Sequence, residues 1–320
     1  MSRRWNWDFE HEQHTGGTPA SPPTGRPQPV HRGHERGAQL RRRRTGAVLV
    51  LGGLIAIIAT ALSGSHGGRP ASASRARVAA HAPRTRPAGD SENDQKAAVR
   101  AVLAYTPFVK KAGARGREIA LTFDDGPGPY TPQILDVLER FRVHATFFEV
   151  GKMLKYFSAS TARELRDGDV IGDHTETHPA LALLSAHDQR EQLFEQIARV
   201  ELLGGPRPLL FRPPYGSYDA TTMRELRSLH LLMVLWSVDT NDYQQPGVQV
   251  IVERALTGAY PGAIILMHDA GGTRTQTIAA LPTIIRDLRA RGFRLVTVPQ
   301  LLEDDPPPAG QPLPANLGGD

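Results

Sequence analysis

From about Lys96 onward, short apolar runs alternate with segments that have the three- and four-residue spacing of an amphipathic helix. In the first predicted strand, residues 118–123, the side chains of Ile119, Leu121 and Phe123 share one face. The other predicted strands are residues 143–150, 209–211, 231–238, 263–267 and 295–298. Repeated strand–helix units of this kind predict an α/β fold whose parallel sheet is closed or nearly closed into a barrel.

The helices between these strands have recognisable limits. Residues 131–141 are predicted as one helix, and Ser185 is predicted to cap another, in which Leu193, Ile197 and Val200 recur at helical spacing. After Glu303 the chain is rich in proline and lacks an apolar period. We therefore expect a folded domain over residues 96–303 and a Pro-rich disordered tail over residues 304–320.

The first third of the chain differs from this domain in composition. Residues 1–44 are rich in Pro, Gly, His and Arg and have no apolar period, which predicts a disordered basic tail. An uncharged apolar run, residues 46–63, follows, and as a helix it would be about 27 Å long, enough for the core of a bilayer. Residues 64–95 are small, polar and Pro-containing, which is typical of a flexible stalk.

The apolar run has two interpretations. Because Arg41 to Arg44 precede it, we favour a transmembrane signal-anchor over residues 45–63, with a cytoplasmic N-terminus and the folded domain outside the cell membrane. The alternative is a signal peptide cleaved near Ala61 or Ala73, which would release the domain by secretion. That alternative requires a region of about 45 residues before the apolar run, well beyond the usual length.

The net charge of +5 belongs to the first third of the chain rather than to the predicted domain. Residues 1–95 carry 14 Arg and 7 Asp or Glu, whereas residues 96–320 carry 24 basic and 26 acidic side chains. A nucleic-acid surface needs its basic side chains on the folded part, so this distribution argues against a nucleic-acid partner. We expect a monomer, attached to the membrane through the one N-terminal helix.

Polar residues follow directly after several of the predicted strands. In a (β/α) barrel such positions share the face on which active sites form. Asp124 and Asp125 come after the first strand, in Thr-Phe-Asp-Asp-Gly-Pro. Two adjacent carboxylates here can point to different sides, one to a metal and one to a water, although the segment alone also fits a polar turn.

His174 and His178 lie four residues apart in His-Thr-Glu-Thr-His, so both rings can reach one metal ion. Glu176 is out of frame for the His-Glu-x-x-His motif, which argues against a metalloprotease. Because the chain has no cysteine, any zinc must be held by His and carboxylate ligands. His174, His178 and Asp125 would leave one position open for water, while two surface histidines in a loop are the alternative.

Three further segments carry candidate residues. Arg212, in Phe-Arg-Pro-Pro-Tyr-Gly, can hold a carboxylate in a loop that the prolines stiffen. Asp239 and Asp242 follow the predicted strand 231–238, and His268 ends the apolar run 263–267. Taken singly, each of these segments also fits a structural turn or a structural histidine.

Together and in this order, the segments resemble the NodB-homology polysaccharide deacetylases, carbohydrate esterase family 4, over residues 117–302. The resemblance is carried by Thr-Phe-Asp-Asp-Gly-Pro, His-Thr-x-x-His and Arg-Pro-Pro-Tyr-Gly. It implies a distorted (β/α) barrel of NodB type. It also implies metal-dependent hydrolysis of N-acetyl groups from an amino-sugar polysaccharide, such as peptidoglycan or a chitin-like polymer, with release of acetate.

The resemblance implies a role for the residues of each motif. Asp125, His174 and His178 would be ligands of a divalent metal, with Zn²⁺ expected and Co²⁺ or Mn²⁺ as alternatives. Asp124 would be the general base and Arg212 would orient it.

The other implied roles concern the leaving group and the substrate. His268 would be the general acid, and Asp242 would pair with it. The backbone N–H of Tyr215 would help to form the oxyanion hole, and Leu266 would line the pocket for the acetyl methyl group. The family has Trp where this chain has Tyr243, so an aromatic wall is retained but the shape of the substrate groove is in doubt.

Two other functions remain open at this point. An O-deacetylase of acetylated xylan or of another wall polymer would use the same residues. An inactive wall-binding module would be expected to have lost Asp124, a metal ligand or His268, and all of these are present. Peptidoglycan is favoured as the substrate because a short stalk would keep the domain near the cell wall.

Overall fold

The computed structural model describes residues 88–312 of the chain. The strands in this part are β1 (Phe108–Val109), β2 (Glu118–Asp124), β3 (Thr146–Glu149), β4 (Val170–Asp173), β5 (Leu210–Phe211), β6 (Leu232–Val234), β7 (Val238–Asp239), β8 (Ile264–His268) and β9 (Arg294–Val296). The helices are α1 (Ala88–Leu103), α2 (Thr131–Phe141), α3 (Gly151–Asp167), α4 (Ala186–Leu202), α5 (Ala220–Leu229), α6 (Val248–Gly258), α7 (Thr275–Ala290) and α8 (Val298–Asp304).

The strands form one sheet in the order β1-β6-β5-β4-β3-β2-β8-β7, and β9 pairs with β2. All the paired strands are parallel, and helices connect most of the successive strands. The predicted β/α architecture is therefore confirmed. Strands β1 and β7 lie at the two ends of this order and do not pair with each other in the part described, so the barrel is open.

The core follows from the alternation of side chains in β2. Ile119, Leu121 and Phe123 face one layer of helices, chiefly α2, α6 and α7. The Phe123 ring stacks on that of Phe147 in β3, with ring centroids 5.1 Å apart. Burying an aromatic or aliphatic side chain of this size stabilises the fold by about 1.5–3 kcal/mol. The opposite face of β2 starts in a second apolar cluster at Ala120 and ends in the polar Asp124.

Most predicted elements are present, and two of them differ clearly from the prediction. Helix α2 has the predicted limits, and Ser185 caps α4 by accepting a hydrogen bond from the Asp188 N–H. The predicted strand 143–150 is shorter, because only β3 pairs with its neighbours. The predicted strand 231–238 is wrong as one element. It divides into β6 and β7 because the chain crosses the opening of the sheet. The Leu235 N–H donates to the Val109 carbonyl, whereas the Ser237 N–H donates to the Ile264 carbonyl on the other side.

The described structure extends beyond the predicted limits 96–303 at both ends. Helix α1 begins at Ala88, within the predicted stalk, and its Val99 and Val102 side chains are buried. After α8, the Asp305 carboxylate accepts hydrogen bonds from the backbone N–H groups of Arg115 and Gly116. These contacts hold residues that lack the apolar periodicity on which the prediction relied.

The predicted basic tail 1–44, the signal-anchor 45–63 and most of the stalk 64–95 lie outside the described residues, as does the end of the Pro-rich tail. Among the helices of residues 88–312, none has the length and apolar character that a membrane span requires.

Candidate active site

Strand register places the first candidate residues side by side. Asp124 at the end of β2 lies opposite His268 at the end of β8, and Thr122 lies opposite Leu266. Because side chains alternate along a strand, these four residues share the face of the sheet that continues from the second apolar cluster. His174, Arg212 and Asp242 follow β4, β5 and β7 at the same end of the sheet. These candidate residues thus meet at the carboxyl ends of the strands.

Asp125, His174 and His178 converge on one point. Their possible ligand atoms all lie within 4.8 Å of one another, and all three side chains are buried. The Asp125 Oδ1 atom is 3.1 Å from Nε2 of His178 and 3.5 Å from Nε2 of His174. Two imidazole nitrogens and a carboxylate oxygen are ligands that zinc accepts.

The surroundings of these three residues fit a divalent cation. The Asp125 Oδ2 atom is buried and has no hydrogen-bond partner in the structure described, which is costly unless a cation is bound. The other ring nitrogen of His174, Nδ1, is 2.7 Å from the Arg212 carbonyl oxygen, which fixes the proton on Nδ1 and leaves Nε2 as a ligand atom. Burial lowers the pKa of His178, against the opposing charge of Asp125, and so favours its neutral, ligand form.

Asp124 is held by a guanidinium that is itself fully buried. Arg212 Nη1 donates to Asp124 Oδ1 at 2.6 Å and to Thr122 Oγ1 at 2.8 Å. Its Nε donates to the Val234 carbonyl at 3.0 Å, and the guanidinium lies 4.1 Å from the centroid of the Phe148 ring. The Arg212 side chain is therefore fixed on several sides, and it orients the carboxylate of Asp124.

His268 is paired with Asp242. Its Nδ1 is 2.7 Å from Asp242 Oδ1, and its backbone N–H donates to Asp242 Oδ2 at 2.9 Å. Burial alone would lower the pKa of His268, but the charge and hydrogen bond of Asp242 outweigh it and raise the pKa to about 9. His268 is therefore an imidazolium at neutral pH. His268 lies in the strand next to that of Asp124, so the imidazole and the Asp124 carboxyl group occur side by side.

Aromatic side chains flank the site on two sides. Tyr215 has a left-handed backbone, with φ of 58°, and its hydroxyl is 3.2 Å from Nδ1 of His178. The Tyr243 ring meets that of His268 edge-on, with centroids 5.4 Å apart. Both tyrosines are 42% exposed, so their rings are accessible to a ligand. Leu266, by contrast, is buried in β8.

Two threonines that support these groups are not among the residues predicted from the motifs. Thr277 on α7 donates to Asp242 Oδ2 at 2.6 Å, and Thr122 donates to the Ile265 carbonyl while it accepts from Arg212. Burial alone would raise the pKa of Asp242, but the charge and hydrogen bond of His268, together with the Thr277 hydrogen bond, lower it. No local signal identifies Thr277, because it lies 35 residues from Asp242 in the sequence.

A cavity of about 820 Å³ lies elsewhere, at the opposite ends of the strands. Its lining includes Pro107, Leu209 and Leu231, which directly precede β1, β5 and β6. Three arginines also line it, namely Arg100, Arg207 and Arg227. None of the residues predicted from the motifs belongs to this lining, so the candidate site is defined by its chemical groups and not by this cavity.

Comparison with known proteins agrees with the geometry. Residues 111–234 match the family model "Polysaccharide deacetylase". The chitooligosaccharide deacetylase of Rhizobium leguminosarum bv. trifolii is 37% identical over 213 residues, which are 63% of this chain and 99% of that protein. The peptidoglycan-N-acetylmuramic acid deacetylase PdaC of Bacillus subtilis is 41% identical over 58% of this chain, which spans only 38% of the length of PdaC.

A solved structure supports the same assignment. The crystal structure of a peptidoglycan N-acetylglucosamine deacetylase in complex with a substituted N-hydroxybenzamide has a TM-score of 0.60 and 35% sequence identity. The match covers 63% of this chain and 94% of that one. At this identity and coverage, the fold is shared over most of the described domain. The chain therefore belongs to the polysaccharide deacetylases of carbohydrate esterase family 4, and it is a hydrolase of that family.

Proposed function

We propose that this protein is a divalent-metal-dependent N-deacetylase of an extracytoplasmic amino-sugar polysaccharide, with peptidoglycan as the favoured substrate. The observation that carries the proposal is the convergence of Asp125, His174 and His178 next to an oriented carboxylate and an imidazolium. A buried site with this set of groups supports hydrolysis of an amide, which requires an activated water and a protonated leaving nitrogen.

A divalent cation bound by Asp125, His174 and His178 would polarise the acetyl carbonyl and lower the pKa of water in the site. Zn²⁺ is the favoured ion, because the ligands are two imidazoles and a carboxylate. Asp124 would then accept the proton of the attacking water. Its Oδ1 is held by Arg212, so Oδ2 is the atom that faces the reaction.

His268 completes the reaction. As the water oxygen bonds to the acetyl carbon, the C–N bond must break, and an amine leaves only when it gains a proton. The His268 imidazolium supplies that proton, and Asp242 both raises its pKa and fixes its ring. The products are acetate and a free amino sugar, with the proton taken by Asp124 balancing the one given by His268.

The remaining predicted residues would bind the transition state and the sugar. The left-handed backbone of Tyr215 orients its peptide N–H, which we assign to the oxyanion. A donor of this kind contributes about 3 kcal/mol in comparable sites. Leu266 would contact the acetyl methyl group, and the exposed ring of Tyr243 would contact the sugar beside His268.

Relatives support the substrate class. The names of the similar proteins specify peptidoglycan N-acetylglucosamine, peptidoglycan N-acetylmuramic acid and chitooligosaccharides, all of which carry N-acetyl groups. These polymers share the amide but differ in the groups around it. N-deacetylation is therefore the reaction that these substrates share.

Parallel digestion tests this proposal. The full chain, loaded with Zn²⁺, is incubated with peptidoglycan, chitooligosaccharides and acetylated xylan, and acetyl loss is measured by mass spectrometry. We expect acetyl loss from peptidoglycan and little from xylan. Loss from xylan alone would instead establish an O-deacetylase, and no loss from any substrate would favour an inactive wall-binding module.

We also propose that residues 45–63 anchor the protein in the cell membrane with the catalytic domain outside. The support is the uncharged run directly after Arg41 to Arg44. Protease added to protoplasts should remove the domain and leave a short membrane-bound fragment. A domain that is cut only after lysis would contradict this topology, and a mature protein that begins near residue 62 or 74 would establish secretion.

A further inference from the structure

Glu176 lies between the proposed ligands His174 and His178, and the reaction above gives it no role. Its side chain is buried, with 3% of the residue exposed. Arg199 on α4 donates to it from two nitrogens, with Nε 2.7 Å from both carboxylate oxygens and Nη2 2.6 Å from Oε1. Arg199 and Glu176 thus form a close ion pair in which two guanidinium nitrogens contact the carboxylate. The pair lies at the centre of the segment 174–178, which we call the ligand loop.

The backbone of the ligand loop is strained. Thr175 and His178 both have left-handed conformations, with φ of 68° and 61°. Residues other than glycine adopt this conformation at a cost in free energy, and they keep it only when surrounding contacts enforce it. In this shape the loop directs Nε2 of His178 to Asp125 Oδ1, 3.1 Å away.

Helix α4 holds the loop from one side through residues seven apart. The Gln192 carbonyl accepts a hydrogen bond from the Glu176 N–H at 2.9 Å, and its side-chain Oε1 accepts from the Thr177 N–H at 2.8 Å. Arg199, two turns further along, lies on the same face of the helix. The two residues therefore fix the backbone and the side chain of Glu176 together.

The start of helix α3 holds the loop from the other side. The N–H of Gly151 donates to the Thr175 carbonyl at 2.9 Å, and that of Lys152 donates to the Glu176 carbonyl at 2.8 Å. The absence of a side chain at Gly151 is required here, because a Cβ would overlap the Glu176 carboxylate and lie 3.2 Å from its Cα. Glu176 thus has almost no room to move between the two helices.

The charge of Arg199 is what allows Glu176 to stay buried. A buried carboxylate without a partner is strongly unfavourable, and it moves to solvent when it can. Because Glu176 is two residues from each proposed ligand, such a movement would displace His174 and His178 together. Loss of the ion pair would therefore alter the spacing of the ligands without removing any of them.

We propose that the Glu176–Arg199 ion pair is a positioning element for the metal site, which sets the affinity for the cation by holding His174 and His178 in their relative orientation. The inference rests on the proposed metal dependence. It assigns a function to the one charged residue of the His-Thr-Glu-Thr-His motif that the reaction leaves unused.

The test is Zn²⁺ affinity of the full chain, measured by competition with a chromogenic chelator. Arg199→Met and Glu176→Gln should each bind Zn²⁺ about 10- to 100-fold more weakly than the unmodified chain, as changes next to metal ligands typically do. Arg199→Lys, which keeps the charge, should recover part of the loss. The double variant should lose less than the product of the two single losses, because both changes break the same contact.

Arg190→Met is the matched control. Arg190 lies on the same helix and pairs with Glu225 at 2.9 Å, but it does not touch the ligand loop. The Zn²⁺ affinity of the Arg190→Met variant should stay within about twofold of that of the unmodified chain, since exposed ion pairs contribute little to stability. Co²⁺ loaded into the Arg199→Met chain should also give a changed visible absorption spectrum, which a loss of stability alone would not produce.

The inference is overturned if Arg199→Met and Glu176→Gln bind Zn²⁺ as tightly as Arg190→Met. Should Arg199→Met fail to fold, Glu176→Gln, which keeps the shape of the side chain, decides the question by the same comparison. If the His174→Ala variant bound Zn²⁺ as tightly as the unmodified chain, that result would contradict the proposed metal site itself. That result is distinguishable, because it does not depend on Arg199.

Discussion

Asp124→Asn is expected to lower kcat on an N-acetyl oligosaccharide by about 10²–10⁴, the range that a missing general base typically costs. The amide of Asn keeps the shape of the carboxylate but cannot accept the proton of the attacking water. The variant should keep its metal, because the proposed ligands are Asp125, His174 and His178. Asp124 Oδ2 lies 3.8 Å from Nε2 of His174 but does not belong to this group. The measurement is kcat together with metal content per chain.

Asp136→Asn serves as the control for this change. Asp136 is an exposed carboxylate on α2 that pairs with Arg163 on α3. The kcat of the Asp136→Asn variant should stay within about twofold of that of the unmodified chain, since surface ion pairs contribute little to stability. If Asp124→Asn loses its metal as well, Asp124 is a ligand rather than the base, and the assignment must be exchanged.

His268→Ala is expected to affect amides and activated esters differently. On an N-acetyl substrate kcat/KM should fall by about 10²–10⁴, because the leaving amine must be protonated. On an aryl acetate the leaving group needs little protonation, so the loss should be far smaller. Asp124→Asn should be impaired on both substrates, because both reactions need an activated water.

The charge of His268 also sets an upper pH limit. Asp242 outweighs the effect of burial and raises the pKa of His268 to about 9. The proton donor is therefore present below that pH and lost as the pH rises through it, so amide hydrolysis should decline with an alkaline limb near pH 9. Equal losses for His268→Ala on amide and ester would show that His268 does not protonate the leaving group.

The positions of the candidate catalytic groups along the chain could be predicted because each lies at the end of a strand or soon after it. Side chains alternate along β2, so Phe123 lies in the core and Asp124 on the opposite face. In a parallel sheet, the carboxyl ends of the strands also lie together. The pairing of Asp242 with His268 came from resemblance to a family rather than from the local pattern. The observed distance of 2.7 Å agrees with it.

The groups that support the site could not be predicted in this way. Thr277 contacts Asp242 across 35 residues, and Arg199 contacts Glu176 across 23. Such contacts depend on how helices lie on the sheet, which local spacing does not determine. For the same reason the break between β6 and β7 could not be predicted. The apolar run 231–238 continues without a change of pattern through the segment that joins the two strands.

Asp125, His174 and His178 are proposed to bind a cation without which the acetyl group is not removed. The decisive measurement is acetate release from peptidoglycan by the full chain before chelation, after chelation and after Zn²⁺ is restored. We expect release to fall to the background rate in the stripped chain and to return with Zn²⁺, and we expect that His174→Ala is not restored. Acetate release at the full rate from the stripped chain would show that the reaction does not need this cation.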